Sequence, residues 1–226
     1  MTDEALLATI REKLFTAAIG DVMDLMGLTR QFLPPEIRAL DPGMVLAGRA
    51  MPVLEADIDE AGEGGEPPPG AQPFGLMLRA LDDLAAGEVY ICTGAAPRYA
   101  LWGGLMSTRA QSLGAAGAVL DGFHRDTREI RELGFPVFST GAYAQDQRPR
   151  GRVVDFRCAI TFANGAVVAP GDVIVGDVDG VLAIPAAAAE EVVRRAAEKV
   201  AGEEEVRRMI LAGADTASVF RKTGIM

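Results

Sequence analysis

Cysteine is nearly absent from this 226-residue chain, which holds only Cys92 and Cys158, far apart and neither in a CxxC pair. That usage supports neither a zinc site nor a disulfide framework, and both thiols are expected to fill strand interiors as small hydrophobes. Histidine is scarcer still: His124 stands alone. Positive charge is in deficit, with 22 Lys and Arg against 32 Asp and Glu for a net −10. The basic residues are scattered, and their densest run, RPRGR at 148–152, reads as a solvated loop. Nucleic acid is therefore not expected as a partner, because phosphate binding needs a concentrated basic surface. No apolar run approaches the roughly 18 to 20 residues of a membrane span. The start, MTDEALLATIREKL, carries acids and no basic-then-apolar leader pattern, so the chain is read as cytoplasmic and mature. At 49% hydrophobic and 24% charged, the composition suits one globular domain over 1–226.

What is present is hydrophobic periodicity of two kinds. Leu6, Leu7, Ile10 and Leu14, then Ile19, Val22, Met23 and Met26, predict two amphipathic helices within 1–30. Thr16 is the expected cap of the second helix and Gly27 its stop. Residues 55–73 are acidic and then Gly/Pro-rich, which predicts a mobile loop. Its fragment from Asp57 to Gly62 resembles a calcium loop but lacks ligands at two positions, and calcium is rejected. VYICTG (89–94), a helix over about 104–115 and AVLDGF (118–123) form a strand–helix–strand unit, expected to be a right-handed parallel crossover. TREIREL and FPVFSTG add a helix and a strand. In RVVDFRCAITF the even positions Val154, Phe156, Cys158, Ile160 and Phe162 are apolar, predicting one strand with one buried face. Asn164-Gly165 marks a hairpin, and 186–213 a terminal helix stopped by Gly213. The fold class is α/β.

The crossover places chemistry. Its helix is expected to begin at the carboxyl edge of the first strand, so the turn Trp102-Gly103-Gly104-Leu105-Met106 should face Asp121-Gly122-Phe123-His124-Arg125-Asp126 at the end of the second. Ligands in open α/β sheets bind at that edge. Free N–H groups at the helix start favour an anion, Arg125 offers a fork for a carboxylate, and Asp126 offers oxygen to a hard cation. The plain alternative is a surface ion pair or helix cap. Alternation along the strand should turn His124 away from Arg125, leaving it as a partner-contacting or partly exposed residue. Trp102 and Tyr99 read as packing residues.

The run ALWGGLMSTRAQSLGAAGAVLDGFHRDTREIRELGFPVFSTG (100–141) resembles the core signature of the RraA-like family, which includes class II aldolases for 4-hydroxy-4-methyl-2-oxoglutarate and 4-carboxy-4-hydroxy-2-oxoadipate. FTAAIGDVMDLMG (15–27), PGDVIVGDVDGVLAIP (170–185) and EEEVRRMILAG (203–213) extend the resemblance. It implies a compact swivelling-domain-like α/β/β fold with flanking helices, assembled as a homotrimer or homohexamer. It further implies a lyase, dependent on Mg²⁺ or Mn²⁺, that cleaves a 4-hydroxy-2-oxo acid to pyruvate and a second oxo acid and decarboxylates oxaloacetate. By the same resemblance Asp126 binds the metal, Arg125 the substrate carboxylate, and Gly103, Gly104, Leu105 and Met106 the pyruvyl group. Asp21 matches an acid contributed by a neighbouring subunit, and Glu203 a glutamate near the metal waters. The alternative is a non-catalytic RraA-type regulator that binds a ribonuclease.

One position departs from the family. Its aldolases carry an acid directly after the Trp-Gly, where this chain has Gly104. Restoring the acid by Gly104→Asp is expected to raise decarboxylation unless another residue already does that work.

Overall fold

The computed structural model describes residues 1–58, 74–148 and 150–225. The N-terminal stripes form α1 (Asp3–Lys13) and α2 (Thr16–Leu25). Thr16 is the first residue of α2 rather than its cap, and the cap comes from elsewhere in the chain. Asp177 accepts hydrogen bonds from Thr16 N and Oγ1, each at 2.7 Å. Then follow β1 (Arg38–Ala39), β2 (Leu46–Asp57), α3 (Met77–Asp82), β3 (Glu88–Thr93), β4 (Ala100–Trp102), α4 (Gly104–Ser112), β5 (Gly117–Leu120) and β6 (Phe123–His124). The next elements are α5 (Thr127–Leu133), β7 (Val137–Ser139), β8 (Gly141–Ala142), β9 (Gly151–Phe156), β10 (Ile160–Thr161) and β11 (Val167–Val168). The chain ends with β12 (Val173–Asp177), β13 (Gly180–Ile184), α6 (Ala189–Leu211) and α7 (Thr216–Thr223).

The main sheet runs β1-β7-β5-β3-β2-β12-β13, with β9 also paired to β2. Its centre, from β2 through β3 and β5 to β7, is parallel, as the crossover predicts. The two ends approach one another. Leu33 N donates to Val181 O on β13, and six residues on, Ala39 pairs with Phe138 of β7. The segment between them nearly closes the sheet into a barrel. Strand β3 shows why its apolar run is continuous: Val89 and Ile91 face the barrel interior, while Tyr90 and Cys92 face the layer under α3, α4 and α5. A strand covered on both faces has no polar side to alternate. A third cluster seats α1, α2 and α6 against β12 and β13.

Several sequence expectations need correction. Glu55, Ala56 and Asp57 belong to β2 rather than to a loop; residues 59–73, with the rest of that predicted loop, lie outside the described residues. The predicted strand 152–162 is two strands, broken where Arg157 adopts a left-handed φ of 55°. That break flips the parity: Val153 is buried and Val154 exposed before it, while Ile160 and Phe162 are buried after it. A one-residue slip exchanges the two faces of a strand. Cys92 is buried in β3 as expected, but Cys158 sits partly buried in the break rather than in a strand. The terminal helix α6 starts at Ala189 rather than at 186, and a further helix, α7, follows Gly213.

Candidate functional site

Between β3 and α4 the chain makes β4, so the helix does not start directly from the first strand of the crossover, as expected, but from a second small sheet. That sheet has the order β4-β6-β8 and is parallel. Trp102 pairs with His124, and Arg125 N donates to Trp102 O at 2.9 Å. Gly103 and Arg125 therefore leave neighbouring strands side by side, and α4 and α5 begin beside each other. Trp102 pins this corner: its Nε1 donates to Ser107 Oγ at 2.7 Å, and its ring stacks on Phe135.

Asp126 caps α5 in the left-handed conformation, with φ 59°. A non-glycine residue there is costly and persists only where the surroundings hold it. Its carboxylate is tied back to the start of α4, where Oδ2 accepts from Gly104 N at 3.1 Å. A Cβ on Gly103 would lie 2.7 Å from that same oxygen, so the close approach requires glycine. Arg125 Nη1 pairs with Asp146 at 3.2 Å, and its Nε lies 3.7 Å from Asp126 Oδ2. Gly104 N–H is thus spent on Asp126, while Leu105 N–H and Met106 N–H have no acceptor among the described residues. Such first-turn donors are open to an anion.

Gly103, Leu105, Met106, Arg125, Asp126 and Asp146 border a cavity of about 280 Å³. Its charged lining among the described residues is Arg125 against Asp126 and Asp146, one net negative charge. An anionic substrate would meet repulsion there unless a cation joined it. The available donors are carboxylate oxygens, with no thiolate or imidazole, which suits a hard divalent ion that keeps much of its water. No group of three or more potential ligand side chains exists among the described residues, so any metal held here is sparsely coordinated by protein. The floor includes Gln147, whose Nε2 donates to the buried Glu55 Oε2 at 2.7 Å. Burial pushes the Glu55 carboxyl up to about 8, against the lowering effect of the Gln147 bond.

Asp126, Arg125 and the turn Gly103 to Met106 are brought together as expected. Asp21 and Glu203 are not with them. Both are ion-paired to Lys199, at 3.2 and 3.0 Å, on the seam of α2 and α6, and neither lines the cavity. His124 does turn away from Arg125 but is buried rather than partly exposed. Its Nδ1 lies 2.7 Å from Ser139 Oγ and its Nε2 3.0 Å from Thr127 Oγ1. Burial, and then the charge of Arg131, lower its pKa.

Two residues escaped the sequence reading. Asp146 has no local signal; it reaches Arg125 from a loop. Glu129 had one, its position three residues after Asp126, which stacks the two at the start of one helix. A Cβ on Gly104 would overlap the Glu129 carboxylate. A carboxylate therefore occupies the space above Gly104, supplied by α5 rather than by α4.

Residues 16–183 match the family model RraA-like, described as Aldolase/RraA. A Halalkalibacterium halodurans protein provisionally named a 4-hydroxy-4-methyl-2-oxoglutarate aldolase is 32% identical over 197 residues, covering 86% of this chain and 84% of that protein. An uncharacterized Methanocaldococcus jannaschii protein is 36% identical over 121 residues, 54% of this chain and 57% of the relative, so that match spans little more than half of either. Among solved structures, Streptomyces coelicolor RraAS2, titled an unusual member of the RNase ES inhibitor RraA protein family, superposes with a TM-score of 0.77 at 24% identity, over 91% of this chain and 97% of that one. That likeness shows the fold alone. With a family match over most of its length and a relative aligned nearly end to end, the chain belongs to the RraA-like family.

Proposed function

We propose that this chain is a lyase of 2-oxo acids that cleaves a 4-hydroxy-2-oxo acid to pyruvate and a second oxo compound, and also decarboxylates oxaloacetate. The convergence of Arg125, Asp126 and the open N–H groups of α4 on one cavity carries this reading. Asp126 would hold Mg²⁺ or Mn²⁺, which when bound supplies a Lewis acid for the 2-oxo group. Arg125 offers its fork to the substrate carboxylate, held in position by Asp146. Leu105 N–H and Met106 N–H add donors to the same anionic end. Glu129, above Gly104, takes the 4-hydroxyl proton or returns one to the carbon that becomes the pyruvate methyl.

Asp21 and Glu203, ion-paired to Lys199 on the α2–α6 seam of this chain, would complete the site of a neighbouring copy in a homotrimer or homohexamer. The 4-hydroxy-4-methyl-2-oxoglutarate aldolase name carried by the Halalkalibacterium relative supports the reaction class. The test is pyruvate release from oxaloacetate, from 4-hydroxy-4-methyl-2-oxoglutarate and from 4-hydroxy-2-oxo acids with an uncharged tail. Release that depends on Mg²⁺ and stops with chelator is expected. A folded protein that releases no pyruvate from any of these at any metal concentration would overturn the reading and favour a protein-binding role.

A further inference from the structure

The cavity at Arg125 has a lining of two kinds. Arg125, Asp126 and Asp146 are its charged side chains, beside the start of α4. Most of the rest is apolar, a wall of Phe74, Met77, Leu78 and Leu81 from α3 and the turn before it, with Leu101. Leu78 remains 54% exposed and Leu105, at the mouth, 82% exposed. Arg125 is the sole cation in the lining among the described residues. Arg79 follows Leu78 on α3 but does not line the cavity.

A second substrate carboxylate directed at this wall would lose water and gain no counter-charge, which is costly. An apolar group of a few carbons would instead cover leucine and methionine surface that solvent now wets. We infer that the substrate bears one carboxylate, at its 2-oxo end, and a branched aliphatic or aromatic group at the other. This deepens the proposed lyase reading and rests on it. The reaction then takes R–CH(OH)–CH₂–CO–COO⁻ to R–CHO and CH₃–CO–COO⁻. The C3–C4 bond breaks, the hydroxyl proton leaves with formation of the aldehyde, and C3 gains one proton, so nothing further is consumed.

The experiment is calorimetric titration of the full chain, at saturating Mg²⁺, with pyruvate, 4-methyl-2-oxopentanoate, phenylpyruvate and 2-oxoglutarate. The two apolar 2-oxo acids should bind about 10- to 50-fold more tightly than pyruvate, the scale expected for burying a few extra carbons. 2-Oxoglutarate should bind no more tightly than pyruvate. Leu78→Arg should reverse the order, favouring 2-oxoglutarate over 4-methyl-2-oxopentanoate. If pyruvate itself does not bind, the lyase reading fails and this inference with it. If pyruvate binds but 2-oxoglutarate is preferred, or tails make no difference, the lyase reading stands and this inference is overturned, with a neighbouring copy covering the wall or supplying the missing cation. An order unaltered by Leu78→Arg also overturns it.

Discussion

Arg125 and His124 are adjacent in sequence, yet they line cavities of nearly equal size, about 280 and 300 Å³, on opposite sides of one short strand. The His124 cavity is the more polar in residue type, with Arg38, Arg131, Thr127, Ser139 and Thr140 around it. Its imidazole and guanidinium groups are nonetheless committed, while Glu36 has no ion pair and Thr140 Oγ1 no hydrogen-bond partner among the described residues. Both ring nitrogens of His124 have hydroxyl partners, Arg38 donates to Asp179 O, and Arg131 pairs with Asp41. On the Arg125 side the backbone is held in a left-handed turn, two carboxylates share one guanidinium, and two helix-start donors lack an acceptor. Cavity volume does not separate the two; the left-handed turn at Asp126 and the open helix-start donors of α4 do.

The sharpest way to break that comparison is to remove the Asp126 carboxylate without disturbing its backbone. Asp126→Gly suits this, because glycine takes φ near 59° readily. Pyruvate release should fall by about 1,000-fold or more, the several kcal/mol that a bound metal contributes to charge stabilisation. Circular dichroism should show the fold intact. Retained metal-dependent activity would erase the distinction between the two sides.

Next in size is the exchange of Glu129 and Gly104. Glu129→Ala should slow turnover by about 10- to 1,000-fold, the range of one positioned acid or base. Because a Cβ at 104 meets the Glu129 carboxylate, Gly104→Asp alone should give no gain, which amends the expectation from sequence. The double variant Gly104→Asp/Glu129→Ala should recover part of the rate. No loss in Glu129→Ala, read in steady-state kinetics, would remove the residue from the mechanism.

The sequence revealed the crossover of β3, α4 and β5 because each carries enough residues to register, but not that α4 starts from β4 in a second sheet. It also revealed that His124 and Arg125 point apart, since alternation needs only two positions. It did not reveal β4, β6 and β8, whose two or three residues are shorter than any period. The left-handed turn at Asp126 was equally hidden, because no residue type there announces it. Arg157 shows the same limit: one residue at positive φ turned a clean alternation into two strands of opposite parity. Asp146 meets Arg125 through tertiary folding alone.

Smaller effects lie in stability. Glu55 stands behind Gln147 at the cavity floor. The unfolded chain gives up its proton near the ordinary value of 4.5, whereas the folded chain keeps it to about 8. The folded state binds more protons in that window, so stability falls as pH rises through it and levels off above. Glu55→Gln should remove this slope. At pH 8.5 the variant should exceed the parent by about 2 to 4 kcal/mol in urea unfolding, and at pH 4 the two should nearly coincide. Equal stability at both pH values would mean that Glu55 is solvated. His124→Asn should cost about 1 to 2 kcal/mol of stability through lost hydrogen bonds and leave turnover nearly unaltered. A large loss of turnover in the folded variant would bring the second cavity into the chemistry.

The most direct measurement is calorimetric titration of oxalate, a planar stand-in for the pyruvyl end, into the parent chain and into Arg125→Lys, each with Mg²⁺ and with chelator. A point charge cannot reproduce the two parallel bonds of a guanidinium. The expected result is binding to the parent that requires Mg²⁺ and weakens by about 10-fold or more in Arg125→Lys. Oxalate affinity that is indifferent to chelator and unaltered by Arg125→Lys would contradict a metal-assisted 2-oxo-acid site on the Arg125 side of the strand.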